Sequence, residues 1–168
     1  MSVPRFRVGQ GLDLHPFSDD PDRPLVLGGV RFPGERGLAG HSDADVVAHA
    51  VTDALLGAAG LGDIGQHFPD TDPTLAGADS MELLRRAVAD VRAAGWVPAN
   101  VDCTVVLDRP KLAPVRAELE GRLSEVVGAP VTVKGKRTEG LGALGRGDGA
   151  VCLAVALVHD DPSREDRP

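Results

Sequence analysis

Residues 41–60, HSDADVVAHAVTDALLGAAG, place apolar side chains at helical spacing. The apolar stripe comprises Val46, Val47, Ala50, Val51, Ala54 and Leu55. A helix with a stripe this wide must bury it against other elements, so the chain needs a core on that side. The pattern predicts a helix from about Asp43 to Gly57, with Ser42 as its N-cap and Asp45 three residues later.

The remaining segments alternate between strand and helix patterns. Strands are predicted over 5–15, 97–107, 130–136 and 149–159, and a β-hairpin over 24–32. Further helices are predicted from Asp79 or Ser80 to Gly95 and over 112–128, and a long loop over 60–78. The sequence therefore predicts one α+β domain at 1–159. Its mixed sheet of about four strands packs against three helices and is followed by a disordered polar tail, 160–168.

Charge and composition exclude several classes of protein. The chain has 168 residues and a net charge of −7, which argues against non-specific binding of nucleic acid. No apolar run is long enough to span a membrane, and the N-terminal residues lack a signal-peptide core, so a cytoplasmic location is predicted. Cys103 and Cys152 lie in apolar stretches and are expected to be buried free thiols. The lysines all fall within 107–149, a segment suited to a small polyanion.

The segment GLDLHPF, 11–17, places two potential metal ligands at alternate positions. On a strand, Asp13 and His15 share a face. They could also be solvated groups at a strand end that turns at Pro16. His49 lies beside the apolar stripe with Asp45 and Asp53 one helical turn away on either side. It could be an ordinary histidine on the polar face of the helix. If it binds a metal, one of these carboxylates is expected to accept its second ring N–H.

Together, Asp13, His15 and His49 offer one carboxylate and two imidazoles, with a fourth position open. This arrangement is typical of a zinc ion that binds substrate. The same set occurs as the facial triad of non-haem iron oxygenases, although three helices argue against the β-rich barrels on which those enzymes are usually built.

Several motifs resemble a known family. GLDLHPF, the block GHSDADVVAHAVTDALLGAAGLGDIGQHFPDTDP, RPK, TEGLG and GRGDG are similar to 2-C-methyl-D-erythritol 2,4-cyclodiphosphate synthases of non-mevalonate isoprenoid biosynthesis. The resemblance implies a homotrimer with active sites between subunits that releases CMP from a cytidine diphosphate substrate. It also implies Zn²⁺ on Asp13, His15 and His49, and Mg²⁺ or Mn²⁺ on Glu139 bridging the substrate phosphates.

Further site residues follow from the resemblance, one position at a time. His41 and Ser42 match contacts to the 2-phosphate. The methylerythritol loop matches Asp63, Ile64, Gly65, Phe68, Pro69, Asp70, Thr71 and Asp72. The cytidine pocket matches Leu107 to Ala113, including Lys111, and the reacting phosphates match Lys136, Arg137, Thr138 and Glu139. Arg146 matches an arginine near the trimer axis. The resemblance implies catalytic roles for His41, Asp63, Arg137 and Thr138.

The sequence departs from the family pattern at three positions. Arg137 stands where a threonine is usual, Ala143 replaces a common phenylalanine, and Asp148 replaces a glutamate. The arginine could stabilise transferring phosphate charge, or Thr138 could take the role.

Two other readings of the sequence can be weighed. GLGALG, 140–145, matches the dinucleotide fingerprint but lacks its βαβ context, so NAD binding is rejected. A non-catalytic trimer that binds zinc and a nucleotide is a third hypothesis beside the synthase and the oxygenase.

Overall fold

A computed structural model describes residues 5–161 of the chain. Along the chain its elements are β1 (Phe6–Pro16), β2 (Leu25–Leu27), β3 (Val30–Phe32), α1 (Val46–Ala59), α2 (Ile64–His67), α3 (Ser80–Ala93), β4 (Trp96–Val106), α4 (Arg116–Val127), β5 (Val131–Lys136), α5 (Gly142–Gly145) and β6 (Gly149–Asp160). Short 3-10 turns occupy Pro73–Leu75 and Ala113–Val115.

Four strands form a mixed sheet in the order β1-β6-β4-β5, and β2 and β3 form a separate hairpin. The pair β4 and β5 is parallel, whereas β6 runs antiparallel to both β1 and β4. Helix α1 packs on β1 and β6, α4 packs on β5, and α3 lies between the two helices. The predicted α+β domain, with a four-stranded sheet against three main helices and a hairpin, is confirmed.

Helix α1 begins later than predicted, at Val46 instead of Asp43. Ala44 has a φ of 58°, in the left-handed region, so the chain is not helical before Asp45. The Asp45 side chain, and not that of Ser42, caps the helix by accepting the N–H groups of Val47 and Ala48. The prediction of Ser42 as the N-cap was therefore wrong.

Smaller differences concern the segments between elements. The predicted loop 60–78 contains α2 and a 3-10 turn, because Asp63 and Asp72 each cap a short run of residues. The four-residue α5 falls inside GLGALG, and a strand follows it, so the βαβ context of a dinucleotide site is still missing. β6 continues through Asp160, one residue beyond the predicted domain boundary, and residues 162–168 of the predicted tail lie outside the described residues.

Both cysteines are buried and free, as predicted. Within residues 5–161, no helix is long and apolar enough to cross a membrane.

Two glycines on β1 allow α1 to approach the strand at backbone distance. A Cβ atom on Gly9 or Gly11 would lie closer than 3.0 Å to backbone atoms of α1, including the carbonyl oxygens of Ala54 and Ala50. Gly9, Gly11, Asp13 and His15 occupy alternate positions and therefore face the same side of the sheet. The face of β1 on which α1 packs therefore also carries Asp13 and His15.

Substitution of Gly11 by alanine is expected to force α1 away from β1, since the obstacle is backbone and cannot rotate aside. We expect a loss of about 3 kcal/mol or more in the free energy of unfolding, measured by urea denaturation. Gly57→Ala, on the same helix, is the matched control. Its added methyl group meets nothing nearer than 3.9 Å, so it should be neutral or stabilising. A stable Gly11→Ala protein would contradict the proposed close contact.

Candidate metal centre and active site

Three potential ligands converge where β1 passes α1. The Nε2 atom of His15 lies 3.0 Å from Asp13 Oδ2, and the Nδ1 atom of His49 lies 3.2 Å from the same oxygen. The two ring nitrogens are 3.2 Å apart. Among the described residues this is the one cluster of three histidine, cysteine or acidic side chains whose ligand atoms could hold a metal ion. The structure therefore brings Asp13, His15 and His49 together, as the sequence predicts.

The spacing of the three atoms suits a small divalent cation. Tetrahedral zinc, with bonds of about 2.0–2.1 Å, would separate its ligand atoms by about 3.3–3.4 Å. The observed separations of 3.0–3.2 Å are close to this range, so slight outward movement of the side chains would admit the ion. Asp13 and His15 remain partly accessible while His49 is buried, which leaves one side of the triad open.

Hydrogen bonds orient the two imidazoles with opposite nitrogens facing the centre. His15 Nδ1 lies 2.8 Å from the carbonyl oxygen of Ala39, which can only accept, so Nδ1 carries a proton and Nε2 is the nitrogen that can direct a lone pair at a metal ion. His49 faces the centre through Nδ1, and its Nε2 lies 2.8 Å from Ser80 Oγ and 3.1 Å from Ser42 Oγ. In both rings the nitrogen that faces away from the centre has a hydrogen-bond partner, as is usual for metal-binding histidines.

The predicted carboxylate partner of His49 is wrong. Asp45 is fully buried and turned away, accepting N–H groups of the hairpin residues Gly28 and Gly29 as well as those of the helix. Burial raises the pKa of Asp45, and these donors oppose the rise. Asp53 instead accepts the N–H of Ile64 at 2.7 Å. The hydrogen-bond partners of His49 Nε2 are serine hydroxyl groups and not carboxylates.

The triad is electrostatically coupled. Burial alone would raise the pKa of Asp13, but hydrogen bonds and charge from His15 and His49 outweigh it and hold the pKa far below its ordinary value. Burial alone would lower the pKa of His15, but its hydrogen bond to Asp13 and the charge of that carboxylate raise it. Asp13 is therefore ionised across the physiological pH range and is available as an anionic ligand.

His41 and Ser42 precede α1 but differ in orientation. The His41 ring is exposed, with Nε2 3.1 Å from the carbonyl oxygen of Asp72. The Ser42 hydroxyl is buried against His49 and accepts the N–H of Ala44 at 3.2 Å. The family resemblance matches both residues to the 2-phosphate, and the N-terminus of a helix ordinarily favours an anion. The carboxylate of Asp45 already occupies the first N–H groups of α1, so an anion here would depend on side chains.

The predicted methylerythritol loop is tied to the rest of the site by a few contacts. Asp63 is exposed, and its carboxylate accepts hydrogen bonds from the backbone and side chain of Gln66. Ile64 and Gly65 lie in α2, and the segment Phe68–Asp72 follows it, ending at the carboxylate that caps the 3-10 turn. Hydrogen bonds from the side chain and backbone N–H of Thr74 lower the pKa of Asp72. The loop contacts His41 through the carbonyl oxygen of Asp72, while both hydrogen bonds of the Asp63 carboxylate go to Gln66.

A second candidate region is a cavity of about 630 Å³ at the ends of β4 and β5. It contains the predicted cytidine residues Leu107 and Lys111 and also Lys136 and Arg137. Its lining includes five cationic side chains, Arg109, Lys111, Arg116, Lys136 and Arg137, beside the acidic Glu35 and Asp108. The cavity therefore suits a phosphorylated ligand.

The loop after β5 depends on Asp108, which the resemblance placed in the cytidine pocket without a role in this loop. Its carboxylate accepts the backbone N–H of Thr138 at 3.1 Å and the Thr138 hydroxyl at 2.6 Å. These hydrogen bonds lower the pKa of Asp108. Thr138 is buried, whereas the neighbouring Arg137 and Glu139 are exposed, and Glu139 adopts a positive φ of 52°. An aspartate directly after an apolar strand is the only local sequence signal for this role. Its partner, Thr138, is thirty residues away, so no local pattern predicts the contact.

The triad and the cavity lie at the same end of the sheet. Leu14 pairs with Val151, and Val151 pairs with Val106, so β1 and β4 end at one level. Strand β6 separates them, a distance of about 10 Å at normal strand spacing. Glu139, the predicted ligand of a second metal, is not part of the triad cluster. Arg146 lies in the turn before β6, paired with Asp148 at 3.0 Å.

Comparison with known proteins identifies the family. The profile described as the YgbB family matches residues 6–159, nearly the whole chain. The chain belongs to the YgbB family. It is 56% identical over 161 residues to the 2-C-methyl-D-erythritol 2,4-cyclodiphosphate synthase of Bordetella petrii, covering 94% of this chain and 98% of that relative.

Solved structures agree with the family match. The bifunctional IspDF of Campylobacter jejuni superposes with a TM-score of 0.89 at 39% identity, covering 95% of this chain and 43% of that longer chain. IspF of Plasmodium falciparum, in a complex with CDP, superposes with a TM-score of 0.80 at 32% identity, covering 95% of this chain and 99% of that one.

Loss of one triad ligand should abolish tight metal binding. We expect the metal-free protein to take up one Zn²⁺ per chain in calorimetric titration, and His49→Ala to weaken this binding by more than about 100-fold, since an outer partner alone typically contributes 10- to 100-fold. His67→Ala is the matched control, because that half-buried ring contacts Leu61 and Asp90 and not the triad. Equal zinc affinity in the two variants would exclude the triad as the binding site.

Proposed function

We propose that the chain is a 2-C-methyl-D-erythritol 2,4-cyclodiphosphate synthase of isoprenoid precursor biosynthesis. The observation that carries the proposal is the convergence of Asp13, His15 and His49 in a chain 56% identical to a curated synthase of that name. The substrate would be 4-diphosphocytidyl-2-C-methyl-D-erythritol 2-phosphate. The products would be the cyclic diphosphate and CMP, which makes the enzyme a lyase.

The reaction is an intramolecular phosphoryl transfer. An oxygen of the 2-phosphate forms a bond to the β-phosphorus, while the bond from that phosphorus to the oxygen bridging it to the α-phosphate breaks. The bridging oxygen leaves with its electron pair as part of CMP. Such a transfer needs positioning and neutralisation of charge more than covalent help from the protein.

The metals are assigned by donor chemistry and by the family resemblance. Two neutral imidazoles and one carboxylate suit zinc, and a zinc ion there would supply Lewis-acid stabilisation of phosphate charge. A carboxylate such as Glu139 suits Mg²⁺ or Mn²⁺, which are harder ions that prefer oxygen ligands. The proposal thus includes zinc on the triad, a harder ion on Glu139 and a cytoplasmic location.

The chain's own residues would bind and orient the substrate. The cavity beside Leu107 and Lys111 would hold the cytidine nucleotide, a role supported by the CDP complex of the Plasmodium falciparum relative. With no tyrosine and one tryptophan in the chain, backbone groups are expected to read the base. His41 would contact the 2-phosphate, and the loop from Asp63 to Asp72 would enclose the methylerythritol.

Arg137 is the residue we propose to stabilise the reacting phosphates in place of the usual threonine. Its side chain is 75% exposed and lines the cavity, with Nε 3.6 Å from Asp108. It is therefore free to move toward a phosphate, and a guanidinium forms strong paired hydrogen bonds to one. The Thr138 hydroxyl is already used by Asp108, which argues against the alternative that Thr138 takes this role.

We propose that the enzyme is a homotrimer with active sites between subunits, and that CMP therefore binds at such an interface. The number three comes from the family resemblance. The physical reason to associate is the sheet face opposite the helices, where β1 and β6 expose large apolar side chains: Phe6, Val8, Leu12, Leu14, Leu153 and Val155. A contiguous apolar patch of this kind usually marks a protein interface.

The activity is tested by incubating the zinc- and magnesium-loaded protein with the cytidylated 2-phosphate substrate in H₂¹⁸O. We expect CMP and the cyclic diphosphate in equal amounts, with no ¹⁸O in either product, because the attacking oxygen comes from the substrate itself. Asp13→Asn should lose this activity. Incorporation of ¹⁸O would indicate hydrolysis, and no release of CMP by folded, metal-loaded protein would refute the proposal.

The assembly is tested by placing a charge on the apolar face. Leu12→Glu, at a position 49% exposed on β1, should dissociate the oligomer in sedimentation velocity experiments, because the carboxylate would have to be buried unpaired. Ala89→Glu adds the same charge to the exposed side of α3 and should leave the trimer intact. A trimeric Leu12→Glu protein would place the interface elsewhere.

A further inference from the structure

The outer side of His49 is enclosed by a hydroxyl network that no step of the proposed reaction uses. Its Nε2 lies 2.8 Å from Ser80 Oγ, and the Ser80 hydroxyl in turn donates a hydrogen bond to Asp43 Oδ1. Ser80 is the first residue of α3 and is completely buried. We propose that Ser80, oriented by Asp43, is a positioning residue that sets the tautomer of His49 and presents its Nδ1 lone pair to the metal.

Ser80 and Asp43 restrict where each proton of this network can lie. A serine hydroxyl has one proton, and the Ser80 hydroxyl directs it at the Asp43 carboxylate, which accepts it. Ser80 Oγ can then only accept from His49, so the ring proton must lie on Nε2. The remaining nitrogen, Nδ1, faces Asp13 and His15 and is the atom that can give its lone pair to a metal ion.

The Asp43 carboxylate is itself held in place. Its Oδ2 atom accepts the backbone N–H of Ser80 at 3.3 Å, and its Oδ1 atom accepts the N–H of Asp45 at 3.2 Å. The Asp43 N–H donates to the carbonyl oxygen of Ala78 at 3.0 Å. The network therefore joins the start of α3 to the segment before α1, and fixes the acceptor direction that His49 meets.

Ser42 is a weaker candidate for the same role. Its hydroxyl lies 3.1 Å from His49 Nε2 and 3.3 Å from Ser80 Oγ, but no carboxylate accepts its proton. It can therefore either donate to the ring nitrogen or accept from it, and by itself would not select a tautomer. Ser80 is closer and is restricted to accepting.

The test compares Ser80→Ala, Asp43→Asn and the double variant, with Thr52→Val as control. Thr52 is a buried hydroxyl residue on the same helix as His49, and it bonds to the backbone of Ala48 instead of the triad. We expect Ser80→Ala to weaken zinc binding about 10- to 100-fold in competition titrations. Asp43→Asn should act in the same direction, because an asparagine amide can donate to Ser80 and free the serine proton for the ring. The control should bind zinc as the parent does.

Non-additivity of the losses in zinc affinity tests whether Asp43 and Ser80 act together. If Asp43 acts through Ser80, the double variant should bind zinc no more weakly than Ser80→Ala alone. Nitrogen-15 NMR of the metal-free protein supplies a readout independent of activity. The His49 ring should be protonated on Nε2 in the parent and in Thr52→Val, and should become a mixture of tautomers in Ser80→Ala.

The inference rests on the metal site of the proposed function, and the two can fail separately. A parent protein that binds no zinc at the triad would overturn the metal site itself. A parent that binds zinc, together with a Ser80→Ala variant of unchanged zinc affinity and unchanged His49 tautomer, would overturn only the positioning role. Ser80 would then only stabilise the start of α3. In that case Ser80→Ala would lower the thermal unfolding temperature by the same amount with and without zinc.

Discussion

The backbone contact between α1 and β1 is the constraint on which the rest of the site depends. Because Gly9 and Gly11 have no side chains, the helix lies directly on the strand, and the next two alternate residues are brought under the same helix. His49 then meets Asp13 and His15 without any long side chain having to reach across a gap. The ligands of the proposed metal thus come from the two elements that are held together most closely.

The triad is an unstable arrangement unless its charges and protons are organised. Two imidazoles and a carboxylate within 3.2 Å of one another would repel or compete for protons if left to solvent. The structure resolves this by using different nitrogens, with His15 held by a backbone carbonyl and His49 by a buried serine. Both rings therefore direct lone pairs to one point beside an ionised carboxylate, and a divalent cation is the species that satisfies all three.

Much of this could be predicted from the sequence because it depends on local periodicity. Strand alternation places Asp13 and His15 on one face, and helical spacing places His49 beside the core stripe. The errors came from tertiary partners. Asp45 was predicted to contact His49, but its carboxylate instead accepts N–H groups of the hairpin. Ala44 adopts a left-handed conformation, so the helix begins later than predicted. No local pattern indicates that a hairpin will supply those donors.

The roles of Ser80 and Asp108 were not predicted, for the same physical reason. Each acts on a residue about thirty positions away, His49 and Thr138 respectively, and a single serine or aspartate at an element boundary has an ordinary reading as a cap or a turn residue. Residue spacing indicated the metal ligands and the family resemblance indicated the cavity, but neither indicated which residues hold the ligands and the loop in place.

The central claim is that side chains of β1 and α1 together coordinate one divalent ion. It is tested most directly by crystals of the zinc-loaded protein, with anomalous diffraction measured above and below the zinc absorption edge. The account predicts a single strong anomalous peak per chain at the triad, about 2.0–2.2 Å from Asp13 Oδ2, His15 Nε2 and His49 Nδ1. A zinc peak elsewhere in the chain, or a peak at the triad that His49 does not contact, would contradict it.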